Sequence, residues 1–229
     1  MKIMSFNTQH CLNFVTREID YEVMANAIKA MEADIVGLNE MFDGENGIYG
    51  KQTEKLSRLT GLENHFFAKA IDEDTSEYGN GFLSRYKIVK SEAILIPDPS
   101  PKSYTGYYET RVLLKAELEN GYTVLVTHFG LNPDEQQNAV KTVLEHITDT
   151  KCILMGDFNV TPDNSVLLPI RERMKDTAEL FDEPKASWES GNPTVKIDYI
   201  FVSRDVEVEY ADIPSLVASD HLPHVATIK

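Results

Sequence analysis

Short continuous apolar runs alternate along this chain with stretches in which apolar residues return every three or four positions. Cys152 to Met155 are one such run, inside KCILMGDFN, and they end abruptly at Gly156, Asp157 and Asn159. A run of that length bounded by glycine and polar residues predicts a central strand buried on both faces. Ile3, Met4 and Phe6 in KIMSFN, and Ile35, Val36 and Leu38 after Asp34, predict two more strands, ending in Asn7 and in Asn39 with Glu40. Between those two, Asp20 is an N-cap for a helix whose Met24, Ala27, Ile28 and Met31 share one face. A polar loop from Met41 to Gly50 then leads into a helix from Gln52 to Thr60, closed by Gly61.

The middle third reads as strand at His65 to Lys69, Gly81 to Leu83 and Ile94 to Ile96, followed by a loop from Asp98 to Tyr108 that carries Tyr104, Tyr107 and Tyr108. From Arg111 to Leu118 the pattern alternates, with Val112, Leu114, Ala116 and Leu118 inward and Arg111, Lys115 and Glu117 outward, as in a half-exposed antiparallel strand. Asn120-Gly121 turns the chain into a returning strand, Tyr122 to Thr127, that ends in His128. Asn132, Pro133 and Glu135 open a helix with an apolar stripe at Val140, Val143, Leu144 and Ile147. After KCILMGDFN, Thr161 to Asn164 cap a shorter helix reaching about Met174, and a second short one spans Asp176 to Leu180. Ile197 to Val202, Val206 to Tyr210 and Val225 to Ile228 are the last strands. Alternating strands and helices make this an α/β chain, and the hairpin requires the sheets to be mixed. Two mixed sheets packed together with helices outside satisfy both, as one domain over residues 1–229.

Composition narrows the class of function. With 229 residues, 42% of them hydrophobic, the chain can bury a substantial core, and it shows neither repeat nor linker. No segment reads as a membrane span, and the first residues run straight into a strand with no room for a signal peptide, which places the protein in the cytoplasm by expectation. Cys11 and Cys152 have neither disulfide-framework nor zinc spacing and are expected reduced. Twenty-two Lys and Arg against 37 Asp and Glu give a net charge of −15. Such a surface opposes duplex nucleic acid, yet a divalent cation can supply local positive charge for a phosphate. No obligate protein partner is evident.

Polar residues cluster at the expected strand ends: Asn7, Glu40, His128, Asp157 with Asn159, Asp198, and Asp220-His221. Ligands of sheet proteins gather at such ends. Asp157 and Asn159, two apart, aim at one point if the chain is extended, but the same residues equally make an Asx-turn. Asn7 and the Asp220-His221 pair equally serve as caps. Asp198 lies inside the β-rich KIDYIF and needs a partner if buried, for which His221 is a candidate. His10 follows Asn7 closely enough to line the same place, whereas His65, His146 and His224 read as structural.

The ordered set Ser5-Phe6-Asn7, Leu38-Asn39-Glu40, Gly81-Phe82-Leu83-Ser84-Arg85, Glu109-Thr110-Arg111, Thr127-His128, Gly156-Asp157-Phe158-Asn159, Ile197-Asp198-Tyr199-Ile200 and Ser219-Asp220-His221 resembles the endonuclease/exonuclease/phosphatase family. The resemblance covers nearly the whole chain and implies a DNase I-like four-layer α/β sandwich. It implies Mg²⁺, for which Mn²⁺ substitutes, held mainly by Glu40 with Asn7 in or near its shell and Asp220 joining. It implies that Asp157 positions an attacking water, that Asn159 and His128 donate to phosphoryl oxygens, and that Asp198 orients His221. Either Asp157 or His221 takes the water's proton. Arg111 and Trp188 fall on the substrate side. The family's usual Leu-Gln-Glu is Leu-Asn-Glu here, and His128 stands where abasic-site enzymes carry Tyr or Asn.

The expected activity is metal-dependent hydrolysis of a phosphate ester, most simply a small one. A DNA nuclease of the exonuclease III or DNase I type is the alternative, disfavoured by charge. A non-catalytic interaction module is a further alternative.

Overall fold

The structure is a computed structural model that describes residues 1–44 and 49–229. Strands β1 (Lys2–Asn7), β2 (Ile35–Asp43), β3 (Asn64–Glu73), β4 (Ser76–Ser84), β11 (Val208–Asp212) and β12 (His224–Ile228) form one sheet in the order β11-β12-β1-β2-β4-β3. Strands β5 (Ile88–Leu95), β6 (Val112–Leu118), β7 (Thr123–His128), β8 (Cys152–Asp157), β9 (Met174–Asp176) and β10 (Asp198–Ser203) form the other, ordered β5-β6-β7-β8-β10-β9. Both sheets are mixed: β1 and β2 are parallel, as are β7 and β8, and the remaining neighbours run antiparallel.

Successive side chains of a strand point to opposite faces, so each apolar run divides between two layers. Ile3, Ile35, Phe82, Val126, Met155 and Ile200 meet between the sheets. Their neighbours Met4, Val36 and Leu83 instead face Met24, Ile28 and Leu56 of helices α1 (Tyr21–Ala30) and α2 (Gln52–Thr60). On the far side Leu125, Leu154 and Phe201 face Val140, Val143 and Ile170 of α3 (Pro133–His146) and α4 (Leu168–Arg173). The order of layers is therefore helix, sheet, sheet, helix, as expected. Among the described residues no helix is long and apolar enough to cross a membrane. Both cysteines are buried and unpaired.

The caps follow the sequence. Asp20 accepts the Val23 N–H, Gly61 ends α2 at φ +77, and Asn132 with Glu135 forms a capping box on α3. Several expectations need correction. Met41, Phe42 and Asp43 continue β2 rather than opening a loop, and residues 45–48 of that expected loop lie outside the described part. The helix expected after Asn164 is a 3₁₀ turn followed by the six residues of α4, and Met174 already belongs to the short strand β9. Arg111 precedes β6 and turns inward, its side chain 11% exposed, because Glu109 and His128 hold it.

A buried amide joins the sheets. Asn39 of β2 donates its Nδ2 to the Thr127 carbonyl of β7 at 2.9 Å and to Asn80 Oδ1 at 2.8 Å, and its Oδ1 accepts the Asp157 N–H at 3.0 Å. Asn80 in turn donates to the Val112 carbonyl at 2.8 Å. Asn39→Ala would take a buried partner from the Asp157 N–H, the Thr127 carbonyl and Asn80 Oδ1, and each such group left unsatisfied costs about 1–3 kcal/mol. Urea unfolding is expected to show a loss of at least about 2 kcal/mol; a loss below about 1 kcal/mol would mean that the bridge is replaceable.

Candidate active site

The candidate site forms where β1, β2, β7, β8 and β10 end or bend together. On β2 the geometry is a bulge: Leu38 pairs with Gly81 and Met41 with Gly79, so Asn39 and Glu40 oppose Asn80 alone. Glu40 takes up the extra residue with a left-handed φ of +58. It thus sits within β2 and not at its end, and the bulge turns its carboxylate to the same side as Asn7. On β8, Gly156 adopts φ +144, and a Cβ there would lie 1.8 Å from the Thr127 oxygen, so only glycine lets β7 and β8 approach at this point.

Of the two readings that the spacing of Asp157 and Asn159 allowed, the chain adopts the Asx-turn and does not continue extended. Asp157 Oδ1 accepts the Asn159 N–H at 2.9 Å, an Asx-turn with Asn159 at φ +50, while Phe158 is buried among Phe129, Tyr199 and Phe201. The other carboxylate oxygen, Oδ2, is free to face the site. Asn7 Nδ2 donates to it at 3.1 Å, and His128 Nε2 and His221 Nε2 lie 3.5 and 3.6 Å from it. Asn7 Nδ2 also donates to Glu40 Oε1 at 2.9 Å, and its own Oδ1 accepts the Gln9 N–H at 3.0 Å. Asn7 therefore bridges the two carboxylates.

His221 is fixed from behind. Its Nδ1–H donates to Asp198 Oδ2 at 2.8 Å, and Asp198 is fully buried. The segment at Ser187 and Trp188 straps this pair: Ser187 Oγ accepts the Ile197 and Asp198 N–H groups at 3.1 and 3.3 Å, and the Ser187 carbonyl accepts the Leu222 N–H at 2.8 Å. Trp188 itself is 40% exposed, on the rim rather than in the core. On the opposite side Asn159 Nδ2 donates to the Phe129 carbonyl at 3.0 Å and lies 3.1 Å from His128 Nε2. Behind that imidazole, Arg111 Nη1 is 2.9 Å from His128 Nδ1 and 2.6 Å from Glu109 Oε1.

Charge and burial set the protonation states. Burial, and after it the Asp198 and Glu40 charges, push the Asp157 carboxyl up, and the His221 charge opposes them. Burial draws His221 down, but the Asp198 and Asp157 charges and the Asp198 hydrogen bond outweigh it and carry it up to about 10, so this ring is an imidazolium at neutral pH. His128 has no such pairing, and burial followed by the Arg111 and His221 charges holds it well below 6.5 and neutral. Burial also pushes Glu40 up, countered chiefly by the Asn7 hydrogen bond.

Ligand atoms of Glu40, His128 and Asp157 lie within 4.8 Å of one another, as do those of Asp157, Asp198 and His221. A hard divalent cation fits the first group. Glu40 is a desolvated carboxylate with a single amide donor and Asp157 is close by, and a cation would offset their repulsion. The second group suits a cation less, because His221 Nδ1 is committed to Asp198 and the ring is already cationic.

Of the residues singled out in the sequence, Asn7, Glu40, His128, Asp157, Asn159, Asp198 and His221 converge. Asp220 is near enough to influence Glu40, His10 and His221 electrostatically, but its Oδ1 accepts from Ser219 Oγ at 3.0 Å and it belongs to neither group of ligand atoms. His10 packs edge-on to Phe42 and beside Tyr49 at the margin. Asn80, Tyr78 and the inward-turned Glu109 join the converging residues. An amide between glycines in the strand YGNGF was the available signal for Asn80. For Tyr78, whose hydroxyl is within reach of the Glu40 and Arg111 charges, there was none.

The sequence profile of the Endonuclease/Exonuclease/phosphatase family matches residues 4–221. No curated protein matches the chain. Among solved structures, an endonuclease/exonuclease/phosphatase from Beutenbergia cavernae superposes with a TM-score of 0.82 at 21% identity, over 100% of this chain and 71% of that one. A mannosyl-6-phosphatase from Bacteroides thetaiotaomicron gives 0.73 at 17% identity, over 100% and 99% of the two chains. ANGEL2, a 2',3'-cyclic phosphatase solved with adenosine-2',3'-vanadate, gives 0.71 at 14% identity, over 99% and 94%.

His224 backs the site, its Nδ1 facing the Asp198 carbonyl at 3.3 Å and its Nε2 facing Thr177 Oγ1 at 3.0 Å. Burial, then the Lys196 charge, keep it neutral well below 6.5. A depressed histidine contributes stability that is present above the unfolded value and lost as pH falls, since below about 6.5 only the unfolded chain takes up the proton. The destabilisation caused by His224→Gln is therefore expected to shrink by about 1.4 kcal/mol between pH 7.5 and 5.5, measured by urea unfolding of both proteins. A pH-independent difference would show that His224 titrates alike in the folded and unfolded chains, and one that grows toward pH 5.5 would show that the fold favours its protonated form.

Proposed function

Because this chain belongs to the endonuclease/exonuclease/phosphatase family, we propose that it hydrolyses small phosphate esters with the help of a divalent cation. The observation that carries this reading is the convergence on Asp157 Oδ2 of Asn7, His128 and His221, with Glu40 tied to the same Asn7 amide. A carboxylate whose second oxygen is anchored by the Asn159 N–H presents one oriented lone pair, which is what a general base for water requires.

In this reading a water between Asp157 Oδ2 and the phosphorus gives its proton to that oxygen as its own oxygen attacks. The bond to phosphorus forms opposite the ester oxygen, which departs with its electron pair. His221 faces the same carboxylate and, held cationic by Asp198, stabilises charge that develops beside it. The Asn159 amide and the His128 ring line the other side, where phosphoryl oxygens gain charge. Glu40, oriented by Asn7, would hold the cation, which supplies Lewis-acid neutralisation of the phosphate when bound. Mg²⁺ suits the carboxylate donors, and Mn²⁺ should replace it.

The substrate class rests on what surrounds this core. A net charge of −15 argues against a track that grips many phosphates. The exposed rings of Tyr104, Tyr107 and Trp188 suit contact with a compact organic group. One of the similar folds is named a mannosyl-6-phosphatase and another a 2',3'-cyclic phosphatase, which agrees with hydrolysis of a phosphate ester.

The test is kcat/KM at one low ionic strength for small phosphomonoesters, a 2',3'-cyclic nucleotide and an abasic DNA duplex, each with EDTA and with Mg²⁺ or Mn²⁺ restored. Small esters are expected to be the better substrates, with turnover abolished by EDTA and recovered with metal. Asp157→Asn should lower kcat by at least about 10²-fold. Preferential cleavage of the abasic duplex would establish a nuclease, and turnover indifferent to chelation would eliminate the cation.

A further inference from the structure

Arg111 enters the site from behind His128, and its chemistry decides what that imidazole can do. A guanidinium has five N–H donors and no acceptor, and it keeps its protons at any pH a protein tolerates. The 2.9 Å contact between Arg111 Nη1 and His128 Nδ1 is therefore a hydrogen bond into the lone pair of Nδ1. A neutral imidazole that accepts at Nδ1 carries its proton at Nε2. Asn159 Nδ2 is also only a donor and lies 3.1 Å from Nε2, so both ring nitrogens meet donors; the guanidinium is the closer and the charged one, and Asp157 Oδ2, 3.5 Å from Nε2, is the acceptor for the proton the ring then carries toward the site.

Arg111 is itself tethered. The same Nη1 meets Glu109 Oε1 at 2.6 Å, and both side chains are largely withdrawn from solvent, 11% and 14% exposed. Glu109 is anchored through its N–H to Glu135 Oε1 at 3.1 Å, and Glu135 belongs to the capping box of α3. Tyr107, on the loop above, donates to Glu109 Oε2 at 3.3 Å. The Nη1 group of Arg111 is thus committed to two protein partners.

We propose that Glu109 and Arg111 are positioning residues that lock His128 in its Nε2–H tautomer, making it a fixed donor toward the substrate and excluding it as a metal ligand. This rests on the phosphoesterase reading for the donor's purpose, although the lock itself does not. Nε2–H of His128 and Nδ2–H of Asn159 then converge from 3.1 Å apart, an arrangement of two donors that an anionic phosphoryl oxygen between them would satisfy. Without His128, the cluster of Glu40, His128 and Asp157 leaves Glu40 to hold a cation beside the Asp157 base.

The test reads the ring directly. Two-bond ¹H–¹⁵N correlation spectra of ¹⁵N-histidine protein resolve the tautomers, and His128→Gln identifies its signal among the six histidines. The wild type should show Nδ1 unprotonated and Nε2 protonated, unchanged by added Mg²⁺. Arg111→Met should bring in the Nδ1–H form and lower kcat about 10-fold or more with little change in KM. Glu109→Gln should produce a mixture of tautomers. A wild-type ring protonated at Nδ1, or an Nε2–H signal lost to Mg²⁺, overturns the proposal even if neither variant folds. So does a raised KM with an unchanged tautomer in Arg111→Met, which would make Arg111 a direct phosphate ligand. Because the spectrum needs no turnover, an Nε2–H ring in a protein that hydrolyses no phosphate ester supports the lock and sinks the functional reading.

Discussion

The buried amide of Asn39 is the constraint on which the rest of this structure depends. The two sheets otherwise meet through Ile3, Phe82, Val126, Met155 and similar side chains, and apolar contact is non-directional, so it does not determine how one sheet sits on the other. Asn39 does, by spanning from β2 to the Thr127 carbonyl and the Asp157 N–H, with Asn80 extending the link to Val112. The residue that joins the sheets therefore also holds the backbone of the principal candidate base. Its neighbour Glu40 occupies the other half of the same bulge, so both carboxylates are registered by one local distortion of β2.

A second constraint is electrostatic. Glu40, Asp157 and Asp198 are all withdrawn from water in one place, where like charges cannot all remain ionised without compensation. The structure divides the compensation. Asp198 is matched by His221, Glu40 and Asp157 share the Asn7 amide, and a divalent cation would complete the balance. The two histidines consequently differ: His221, between two carboxylates, is cationic, whereas His128, beside Arg111, is neutral. One residue type thus takes two protonation states a few ångströms apart, set by neighbours from different strands.

Much of this was legible in the amino-acid sequence. The apolar runs gave the buried strands because period-two alternation divides them between layers, and the caps at Asp20, Gly61 and Asn132 are local chemistry that local sequence specifies. The pairing of Asp198 with His221 followed from the cost of burying an acid in a β-rich run. What was not legible depended on tertiary approach. Arg111 reads as the outward residue of an alternating strand, and nothing nearby in sequence announces that Glu109 and His128 capture it. Glu40 looks like a strand end because a bulge has no reliable apolar signature. Asn80 looks like any polar residue between glycines until its partner, 41 positions away, is placed beside it.

A cation on Glu40 and a phosphate against Asp157, His128 and Asn159 are expected to share one site. Crystals grown with Mn²⁺ and inorganic phosphate test it directly, because anomalous scattering locates manganese independently of any assumption about ligands. Manganese is expected on the Glu40 carboxylate, with phosphate oxygens between the metal and the N–H groups of His128 and Asn159. Manganese seated instead among Asp157, Asp198 and His221, or phosphate bound away from Asp157, would contradict it.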